Sequence, residues 1–370
     1  MKVGNRHYRS IWPVAWPDGR RAVGIIDQTR LPFDFVTVEM DAWQKIADAI
    51  RAMQVRGAPL IGVAGAYGLA LAMQENDDDA TLARAYTELE ATRPTAVNLR
   101  WALDRMRGVL RATARGARAS TAWTEAARIA DEDVACNRAL GSHGARLIVA
   151  RHQQRAGTVH VLTHCNAGWI ATVDFGTALS AIYQAFDAGA DLHVWVDETR
   201  PRNQGLLTAW ELAAHGVPHT LIVDNAGGHL MRRGEVDLVI VGADRVTRTG
   251  DVCNKIGTYL KALAAHDNDV PFYAAVPSTT IDWTIADADG QIEIEARNPE
   301  EVRRVHGRDE AGVAASVFLA GTDTPVVNPA FDITPARLVT GIITERGIAA
   351  PAALSSLVSE PARTSATSVV

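Results

Sequence analysis

The stretch Val236-Asp-Leu-Val-Ile-Val-Gly-Ala-Asp-Arg245, continued by Gly250-Asp-Val-Cys-Asn-Lys-Ile-Gly257, combines an apolar run with polar residues that follow it. The run is bounded by acidic residues and a glycine, a pattern typical of a strand buried on both faces. Asp244 follows its carboxyl end, and a new helix is predicted to begin near Asn254 and Lys255. Because ligands of open α/β sheets bind outside the carboxyl ends of the strands, this stretch predicts an anion site beside an acid.

The surrounding pattern predicts an α/β fold. Residues 1–155 are expected to form a β-hairpin region plus a helical bundle, and residues 156–350 a Rossmann-like catalytic domain with a parallel, doubly wound sheet. Residues 351–370, rich in Ala, Ser and Pro, are expected to be a loose tail. The predicted strands of the sheet are Val159–Thr163, Leu192–Val196, His219–Val223, Leu238–Val241, Phe272–Ala275 and, less marked, Val326–Val327.

Composition narrows the class of protein. The 370 residues are 47% hydrophobic and 22% charged, which is typical of a globular protein. A net charge of −6 offers no uniform basic field for nucleic acid, and no apolar run reaches the ~20 residues that span a bilayer. The amino terminus lacks the apolar core of a signal peptide. Three scattered cysteines do not form a disulfide framework, so a reducing cytoplasm is the expected location.

Polar residues follow four of the predicted strands. His164-Cys165-Asn166, Asp197-Glu-Thr-Arg200, Asp224-Asn225 and Asp244 would meet at one edge if the strands are parallel. Asp and Asn at such positions are also ordinary helix N-caps, and that interpretation is favoured for Asp224 and Asn225 alone. For the whole set, convergence indicates a site. Within the second segment, the acidic residues and the arginine are expected to pair with one another.

Several motifs together resemble the methylthioribose-1-phosphate isomerase family. This family belongs to a superfamily that includes regulatory subunits of the translation-initiation guanine-nucleotide exchange factor and ribose-1,5-bisphosphate isomerases. The resembling segments run in the family's order over nearly the whole chain. They are Arg56-Gly-Ala-Pro-Leu-Ile-Gly62, Arg93-Pro-Thr-Ala-Val-Asn-Leu99, Thr163-His-Cys-Asn-Ala-Gly168, Asp197-Glu-Thr-Arg-Pro201 with Gln204-Gly205, Val241-Gly-Ala-Asp244, Gly250-Asp-Val-Cys-Asn-Lys-Ile-Gly-Thr-Tyr259, Pro271-Phe-Tyr273 and Asn328-Pro-Ala-Phe-Asp-Ile-Thr-Pro335.

The resemblance implies an isomerase of methionine salvage that acts on a small sugar phosphate. It implies a helical domain before a Rossmann-like domain, usually in a homodimer, and neither a cofactor nor a metal. Cys165 and Asp244 would be the catalytic pair. The residues that would hold the substrate are Arg56, Gly57, Ala58, Arg93, Gln204, Asn254 and Lys255.

The expected isomerisation explains why the site would need an acid and a thiol. Phosphate on the anomeric oxygen blocks spontaneous ring opening, so the ring oxygen must be protonated and hydrogen must move from C2 to C1. Asp244 suits the acid if burial raises its pKa, although an ion pair with Arg245 or a helix cap is an equal interpretation from spacing alone. Cys165 would take the C2 proton as a thiolate or shape a dry site for a hydride shift. Alternatively, it is a buried structural cysteine.

The residues around Cys165 predict a lowered thiol pKa and an anion site. A helix over residues 167–185 would follow Cys165, and such a helix start or a nearby cation lowers a thiol pKa. His164 is expected to support the site rather than act as a base. Arg56-Gly57-Ala58 precedes a helix whose first N–H groups suit a phosphate.

Two alternatives remain open at this point. Within the enzyme class, the substrate is 5-deoxyribose 1-phosphate or ribose 1,5-bisphosphate, and the apolar surface of Trp169, Ile170, Trp12 or Trp16 would favour an uncharged group at C5. In another class, the chain is a non-catalytic regulatory subunit. The presence of both Cys165 and Asp244 argues against that class. A dinucleotide oxidoreductase is disfavoured because no Gly-x-Gly-x-x-Gly opens a βα unit.

Overall fold

The computed structural model describes residues 1–4, 6–94, 96–154 and 157–357 of the chain. The helices of this part are α1 (Trp43–Arg51), α2 (Ala58–Glu75), α3 (Asp79–Glu90), α4 (Val97–Arg111), α5 (Arg118–Gln154), α6 (Ala178–Asp187), α7 (Gly205–His215), α8 (Ala226–Arg232), α9 (Thr258–Asp267) and α10 (Glu300–Arg303). Short 3₁₀ helices lie at Trp169–Ala171, Ser278–Thr280, Ala336–Leu338 and Pro351–Leu357.

The strands belong to one large sheet and several small ones. They are β1 (Lys2–Val3), β2 (Arg6–His7), β3 (Ile11–Ala15), β4 (Arg21–Ile26), β5 (Thr37–Met40), β6 (Val159–Thr163), β7 (Leu192–Asp197), β8 (His219–Ile222), β9 (Leu238–Val241), β10 (Arg245–Thr247), β11 (Val252–Lys255), β12 (Phe272–Ala275), β13 (Ile281–Asp282), β14 (Arg304–Arg308), β15 (Ala314–Phe318), β16 (Phe331–Thr334), β17 (Gly341–Thr344) and β18 (Gly347–Ala349).

The amino-terminal region is a small antiparallel sheet packed on helices, as the sequence predicts. Strands β3, β4 and β5 pair in that order, and their apolar face joins α1 to α4 in one core. Helix α2 is buried on nearly all sides because it consists mainly of Ala, Gly and Leu. A Cβ at Gly62 would lie 2.8 Å from the carbonyl oxygen of Asn98, so only glycine lets α4 approach this closely.

The large sheet has seven strands in the order β18-β17-β12-β9-β6-β7-β8. All neighbours are parallel except β17 and β18. The chain starts at β6, runs outward through β7 and β8, and returns to build β9, β12 and β17 on the other side. The predicted α/β fold with a doubly wound parallel sheet is therefore confirmed. The change of direction places the topological switch point between β6 and β9, where such folds bind ligands.

Other predictions about this half are wrong or fall outside the described residues. The predicted strand Val326–Val327 is irregular, and Val327 is 87% exposed because no strand lies beside it to pair with. Of the predicted loose tail, Pro351–Leu357 forms a 3₁₀ helix that buries Leu354, and residues 358–370 lie outside the described part. The predicted boundary at residues 155 and 156 lies outside it too, so the division into domains stays a prediction.

Helix α5 connects the two halves of the molecule. It is 37 residues long. Its first half, with Trp123 and Ile129, belongs to the amino-terminal core, and its second half, with Leu140 and Ile148, packs on α6 and the large sheet. No described helix combines the length and the apolarity needed to cross a bilayer.

Candidate active site

The candidate site lies at the switch point of the large sheet. Cys165 follows β6 and Asp244 follows β9, and these two strands are parallel neighbours. A pocket of about 850 Å³, including its open mouth, lies beyond these strand ends. All nine predicted site residues line it, namely Arg56, Gly57, Ala58, Arg93, Cys165, Gln204, Asp244, Asn254 and Lys255. The structure thus brings the predicted residues together, whereas their roles stay predictions.

Cys165 is held in an unusual backbone conformation. Its φ is +65°, its N–H donates to Oγ1 of Thr199 at 2.9 Å, and its carbonyl oxygen accepts from Oγ1 of Thr208 at 2.8 Å. The side chain is half-buried, with its free surface toward the pocket. Burial raises the pKa of this thiol, while the Arg56 and Lys255 cations act in the opposite direction. The thiol form is therefore favoured, contrary to the lowered pKa expected from the sequence.

The helix predicted over residues 167–185 is wrong in its first half. A 3₁₀ turn at Trp169–Ala171 comes first, and α6 begins only at Ala178. The cause is Glu211 of α7, whose buried carboxylate accepts the N–H of Trp169 at 2.8 Å and approaches that of Ile170 at 3.4 Å. With these donors bound to a side chain, the segment does not continue as a helix, and Cys165 has no helix start beside it.

Asp244 lines the same pocket and is half-buried in the loop that follows β9. Its N–H donates to the carbonyl oxygen of Cys253 at 3.0 Å, which fixes the loop after β9. Burial raises the pKa of this carboxyl, Glu295 adds to the rise, and Arg93, Lys255 and Arg56 oppose it. The net direction favours the neutral acid, as predicted. Arg245, the alternative ion-pair partner, has Nη1 3.7 Å from Asp282.

Asn254 and Lys255 do not begin a helix, so that prediction is wrong. They end strand β11, which pairs with β10 and β16, and the following helix α9 begins at Thr258 after Gly257. The distant strand β16 supplies pairing partners that local periodicity does not show. Burial lowers the pKa of Lys255, and Cys165 raises it. Nδ2 of Asn254 donates to Oγ1 of Thr258 at 3.0 Å.

The start of α2 forms one wall of the pocket. Gly57 has φ +104°, and a Cβ there would lie 2.2 Å from the carbonyl oxygen of Ala171. Ala58 begins the helix, and although Pro59 has no N–H, the other residues of the first turn leave backbone N–H groups that point from this end. Buried Arg56 donates through Nη2 to Oδ1 of Asn166 at 2.5 Å. The wall therefore offers backbone donors and a guanidinium to an anion.

Arg56 is oriented by Asn166, which the sequence places beside Cys165 without a role, and by Glu211, which sequence reasoning missed. Nδ2 of Asn166 donates to Oε1 of Glu211 at 2.9 Å, so the amide turns its oxygen toward the guanidinium. The hydroxyl of Tyr183 donates to Oε2 of Glu211 at 2.9 Å and completes the set of donors around this carboxylate. A lone acidic residue inside the apolar helix Gly205–His215 was the available signal for Glu211.

The remaining predicted residues extend the site. Arg93 lies 3.3 Å from Glu295 through Nη2, and Gln204 is buried at the start of α7. Within the described part, Nε of Arg56, Nε of Arg93 and Oε1 of Gln204 have no hydrogen-bond partner. These unsatisfied polar atoms suit a polar ligand, because buried polar groups are normally paired.

Several side chains do not take the places expected of them. Trp169 and Ile170 are buried in the core, and neither they nor Trp12 and Trp16 line the pocket. Arg200 donates to the carbonyl oxygens of Val302 and Arg304 rather than to its acidic neighbours. The apolar part of the pocket lining is Met53, Pro59, Ala167, Ala171, Pro277, Ala330 and Phe331.

A buried cluster lies behind Cys165. One donor atom from each of His164, Asp197 and Asp224 lies within 4.8 Å of the others, a spacing that suits a cation. Nζ of Lys261 is 2.6 Å from Oδ2 of Asp197, so an ammonium group already faces this carboxylate. Burial would raise the pKa of Asp197, but His164 and Lys261 outweigh burial and lower it.

Comparison with known proteins agrees with the fold and with the family that the motifs resemble. The Initiation factor 2 subunit family matches residues 54–351. The methylthioribose-1-phosphate isomerase of Methylorubrum populi is 61% identical over 95% of both chains. That of Paramagnetospirillum magneticum is 58% identical over 98% of this chain and 100% of its own.

Solved structures include both an isomerase and a translation factor. The 5-methylthioribose 1-phosphate isomerase of Pyrococcus horikoshii has a TM-score of 0.79 at 37% identity, covering 95% of this chain and 96% of its own. The A. fulgidus protein described as translation initiation factor eIF-2B subunit delta has a TM-score of 0.76 at 40% identity, covering 94% and 97%.

Proposed function

Because this chain belongs to the Initiation factor 2 subunit family and, within it, to the methylthioribose-1-phosphate isomerases, we propose that it converts 5-methylthioribose 1-phosphate to 5-methylthioribulose 1-phosphate. The observation that carries the proposal is the presence of Cys165 and Asp244 in one pocket at the switch point, with cations around them. The product belongs to methionine salvage. Homodimer formation and a cytoplasmic location stay predictions.

Asp244 is the proposed acid of ring opening. It donates its proton to the ring oxygen as the bond between C1 and that oxygen breaks, and the raised pKa keeps this proton available near neutral pH. Free Asp titrates near ~3.9 and would have lost it. The negative charge that Asp244 gains is offset by Arg93, Lys255 and Arg56.

Hydrogen then leaves C2 and arrives at C1, and two routes satisfy the atom balance. In the first, the thiolate form of Cys165, which Arg56 and Lys255 stabilise, takes the C2 proton, an enediol-type intermediate forms, and the resulting thiol returns the proton to C1. In the second, hydride passes directly from C2 to C1, and Cys165 helps to exclude water. In both routes the C2 hydroxyl loses its proton as the ketone forms, and the Asp244 carboxylate takes that proton, which restores the acid.

The phosphate is proposed to lie at the start of α2. Arg56, Gly57 and Ala58 supply a guanidinium and backbone N–H groups there, and Arg93 and Lys255 add charge. Gln204, Asn254 and Lys255 complete the set of proposed substrate-holding residues, the first two toward the sugar hydroxyls.

An uncharged group at C5 fits the lining better than a second phosphate. Two further arginines line the pocket, but Arg202 lies 2.7 Å and Arg297 2.9 Å from the carboxylate of Glu301. Arg297 also lies 2.9 Å from Glu295 through Nη1, so both arginines already have a carboxylate partner. Met53, Pro277 and Phe331 offer apolar surface, and a methylthio group needs such contacts.

A turnover assay on three 1-phosphates tests the proposal, with 5-methylthioribose, 5-deoxyribose and ribose 5-phosphate as the sugars. The methylthio substrate should have the highest kcat/KM, and the bisphosphate the lowest, because Arg202 and Arg297, the cations left for its second charge, already have carboxylate partners. Running the assay in deuterated water separates the routes, since deuterium enters C1 only through proton transfer. Preference for the bisphosphate contradicts the assignment of the C5 group.

A non-catalytic binding role is the second candidate, because the A. fulgidus relative is described as a translation-factor subunit at 40% identity. Absence of turnover on all three substrates, in a protein that still binds them, supports this candidate instead.

A further inference from the structure

His164 faces a hydrogen-bond acceptor at each ring nitrogen. Nδ1 lies 2.9 and 2.8 Å from the two carboxylate oxygens of Asp197, and Nε2 lies 2.9 Å from the carbonyl oxygen of Ile256. A neutral imidazole carries a single N–H, so one of these contacts would set a nitrogen lone pair against an oxygen lone pair. The imidazolium, in contrast, donates to both.

We infer that His164 is held as an imidazolium and acts as a positioning residue, fixing the Cys165 loop against the turn that follows Lys255. The catalytic half of this inference rests on the proposed function, whereas the protonation state does not. His164 directly precedes Cys165 at the end of β6, and its Nε2 also lies 3.3 Å from the carbonyl oxygen of Lys255. One ring therefore connects the ends of β6 and β11.

The charges that face His164 come from four elements. Asp197 ends β7, Lys261 lies on α9, Asp332 lies on β16, and Asp224 follows β8. Lys261 Nζ contacts the Asp197 carboxylate at 2.6 Å and donates to the Asp224 carbonyl oxygen at 3.2 Å. The Asp197 carboxylate therefore lies between two cations.

The other acidic groups of the cluster are occupied by backbone donors. Asp332 accepts the N–H groups of Gly257 and Tyr259, and Asp224 accepts those of Thr199 and Arg200. Among the described acidic residues, Asp197 is thus the one whose carboxylate lies directly against the ring of His164, which is 1% exposed. This arrangement gives Nδ1 an acceptor that does not depend on solvent.

A second connection leads from the same carboxylate to the thiol residue. Oγ1 of Thr199 donates to Oδ1 of Asp197 at 2.7 Å and accepts the N–H of Cys165 at 2.9 Å. Thr199 is fully buried with φ +59°, and Cys165 has φ +65°. The imidazolium orients Asp197, Asp197 orients the hydroxyl, and the hydroxyl fixes the backbone from which the sulfur projects.

The protonation state can be measured without any variant. The chain has eleven histidines, and among the described residues, which include all of them, His164 is the one that is buried. In full-length protein with ¹⁵N-labelled histidine at neutral pH, one imidazole should show slowly exchanging protons on both nitrogens, because each ring nitrogen of His164 faces an acceptor. If all eleven imidazoles are neutral at that pH, the inference is overturned.

The positioning role is tested by the matched pair Thr199→Ala and Thr199→Ser. Both lose the methyl group, but only Thr199→Ser keeps the hydroxyl that connects Asp197 to Cys165. The alanine variant should have a kcat about 10- to 100-fold below that of the serine variant, with KM changed less than about twofold, because misplaced reacting groups slow the chemical step. Equal kcat values overturn the positioning role.

His164→Gln supplies a second arm, with His160→Gln on the same strand β6 as control. The single amide nitrogen of glutamine cannot donate to both Asp197 and Ile256, as the two ring nitrogens of His164 do, so kcat should fall. The control should keep wild-type kcat and KM. If the wild-type protein turns over no sugar phosphate, the proposed function fails, and the labelled-histidine spectrum still decides the charge of His164.

Discussion

Two cavities of this molecule each hold one cysteine and one aspartate. The first contains Cys165 and Asp244, and the second, between α4, α5 and the 3₁₀ turn after β12, contains Cys136 and Asp133. All four side chains are half-buried, and burial raises the pKa of each, that of Asp133 to about 7. A raised pKa therefore does not by itself distinguish the candidate site.

The cavities differ in the groups around the pair. In the first, Arg56 and Lys255 act on both the thiol and the acid, and the start of α2 adds unpaired backbone donors. In the second, the Glu345 carboxylate raises the pKa of Cys136 further, and Oδ2 of Asp133 accepts the N–H of Val173 at 2.8 Å. Burial keeps protons on both pairs. The first has Arg56 and Lys255 to stabilise the anion that follows proton loss, whereas at Cys136 the Glu345 carboxylate opposes the effect of Arg346.

The largest expected effect comes from the pair itself. Cys165→Ala and Asp244→Asn should each lower kcat by about 10²- to 10⁴-fold, the usual contribution of a positioned acid or base. Cys136→Ala and Asp133→Asn, matched in residue type and exposure, should leave kcat within about twofold, since surface or packing changes away from the chemistry act on stability instead. Steady-state kinetics on the methylthio substrate measure all four.

Equal changes in kcat for the variants of both cavities would contradict the distinction between them. Near-wild-type kcat in Asp244→Asn would remove the acid from the mechanism. A large loss in Asp133→Asn with unchanged thermal stability would show that the second cavity takes part in the reaction.

The next largest effect, on KM, is expected from the cations of the candidate site. Arg56→Gln should raise KM about 10- to 100-fold, because a hydrogen bond to a charged group contributes roughly 1.5–3 kcal/mol. Arg346→Gln, at the second cavity, is the control: its guanidinium is 42% exposed and contacts Glu345 and the carbonyl oxygen of Leu357. The control should keep its KM. An unchanged KM in Arg56→Gln would instead contradict the phosphate position at α2.

The smallest effect concerns stability and pH at the second cavity. The folded pKa of Asp133 is about 7, whereas an unfolded Asp titrates near ~3.9. Between these values the folded chain holds a proton that the unfolded chain has lost, so this group lowers the free energy of unfolding as pH rises from about 4 to about 7. Asp133→Asn should therefore gain stability relative to wild type between about pH 5 and about pH 7.5 in urea unfolding. A constant difference would contradict the raised pKa.

Much of the central sheet is predictable because buried parallel strands appear as continuous apolar runs. The bounds of β6, β9 and β12 agree residue for residue with the prediction from sequence. Parallel pairing then brings their carboxyl ends to one edge, and this is why Cys165 and Asp244 could be placed in one pocket without coordinates.

The errors share a different cause, since each depends on a distant part of the chain. Strand β11 forms because β16 pairs with it, with Lys255 opposite Phe331. The helix after Cys165 is delayed because Glu211 binds the N–H of Trp169. The orientation of Arg56 likewise requires Asn166 and Glu211 together. Local periodicity contains none of these contacts.

Helix α5 has a consequence for synthesis of the chain. Its 37 residues extend for about 55 Å at the usual rise of ~1.5 Å per residue. When the helix has left the ribosome, the apolar side chains of its second half, including Leu140 and Ile148, still lack α6, which begins at Ala178. Nascent chains that stop between these points would expose that stripe, so this interval is where we expect chaperones to bind during translation.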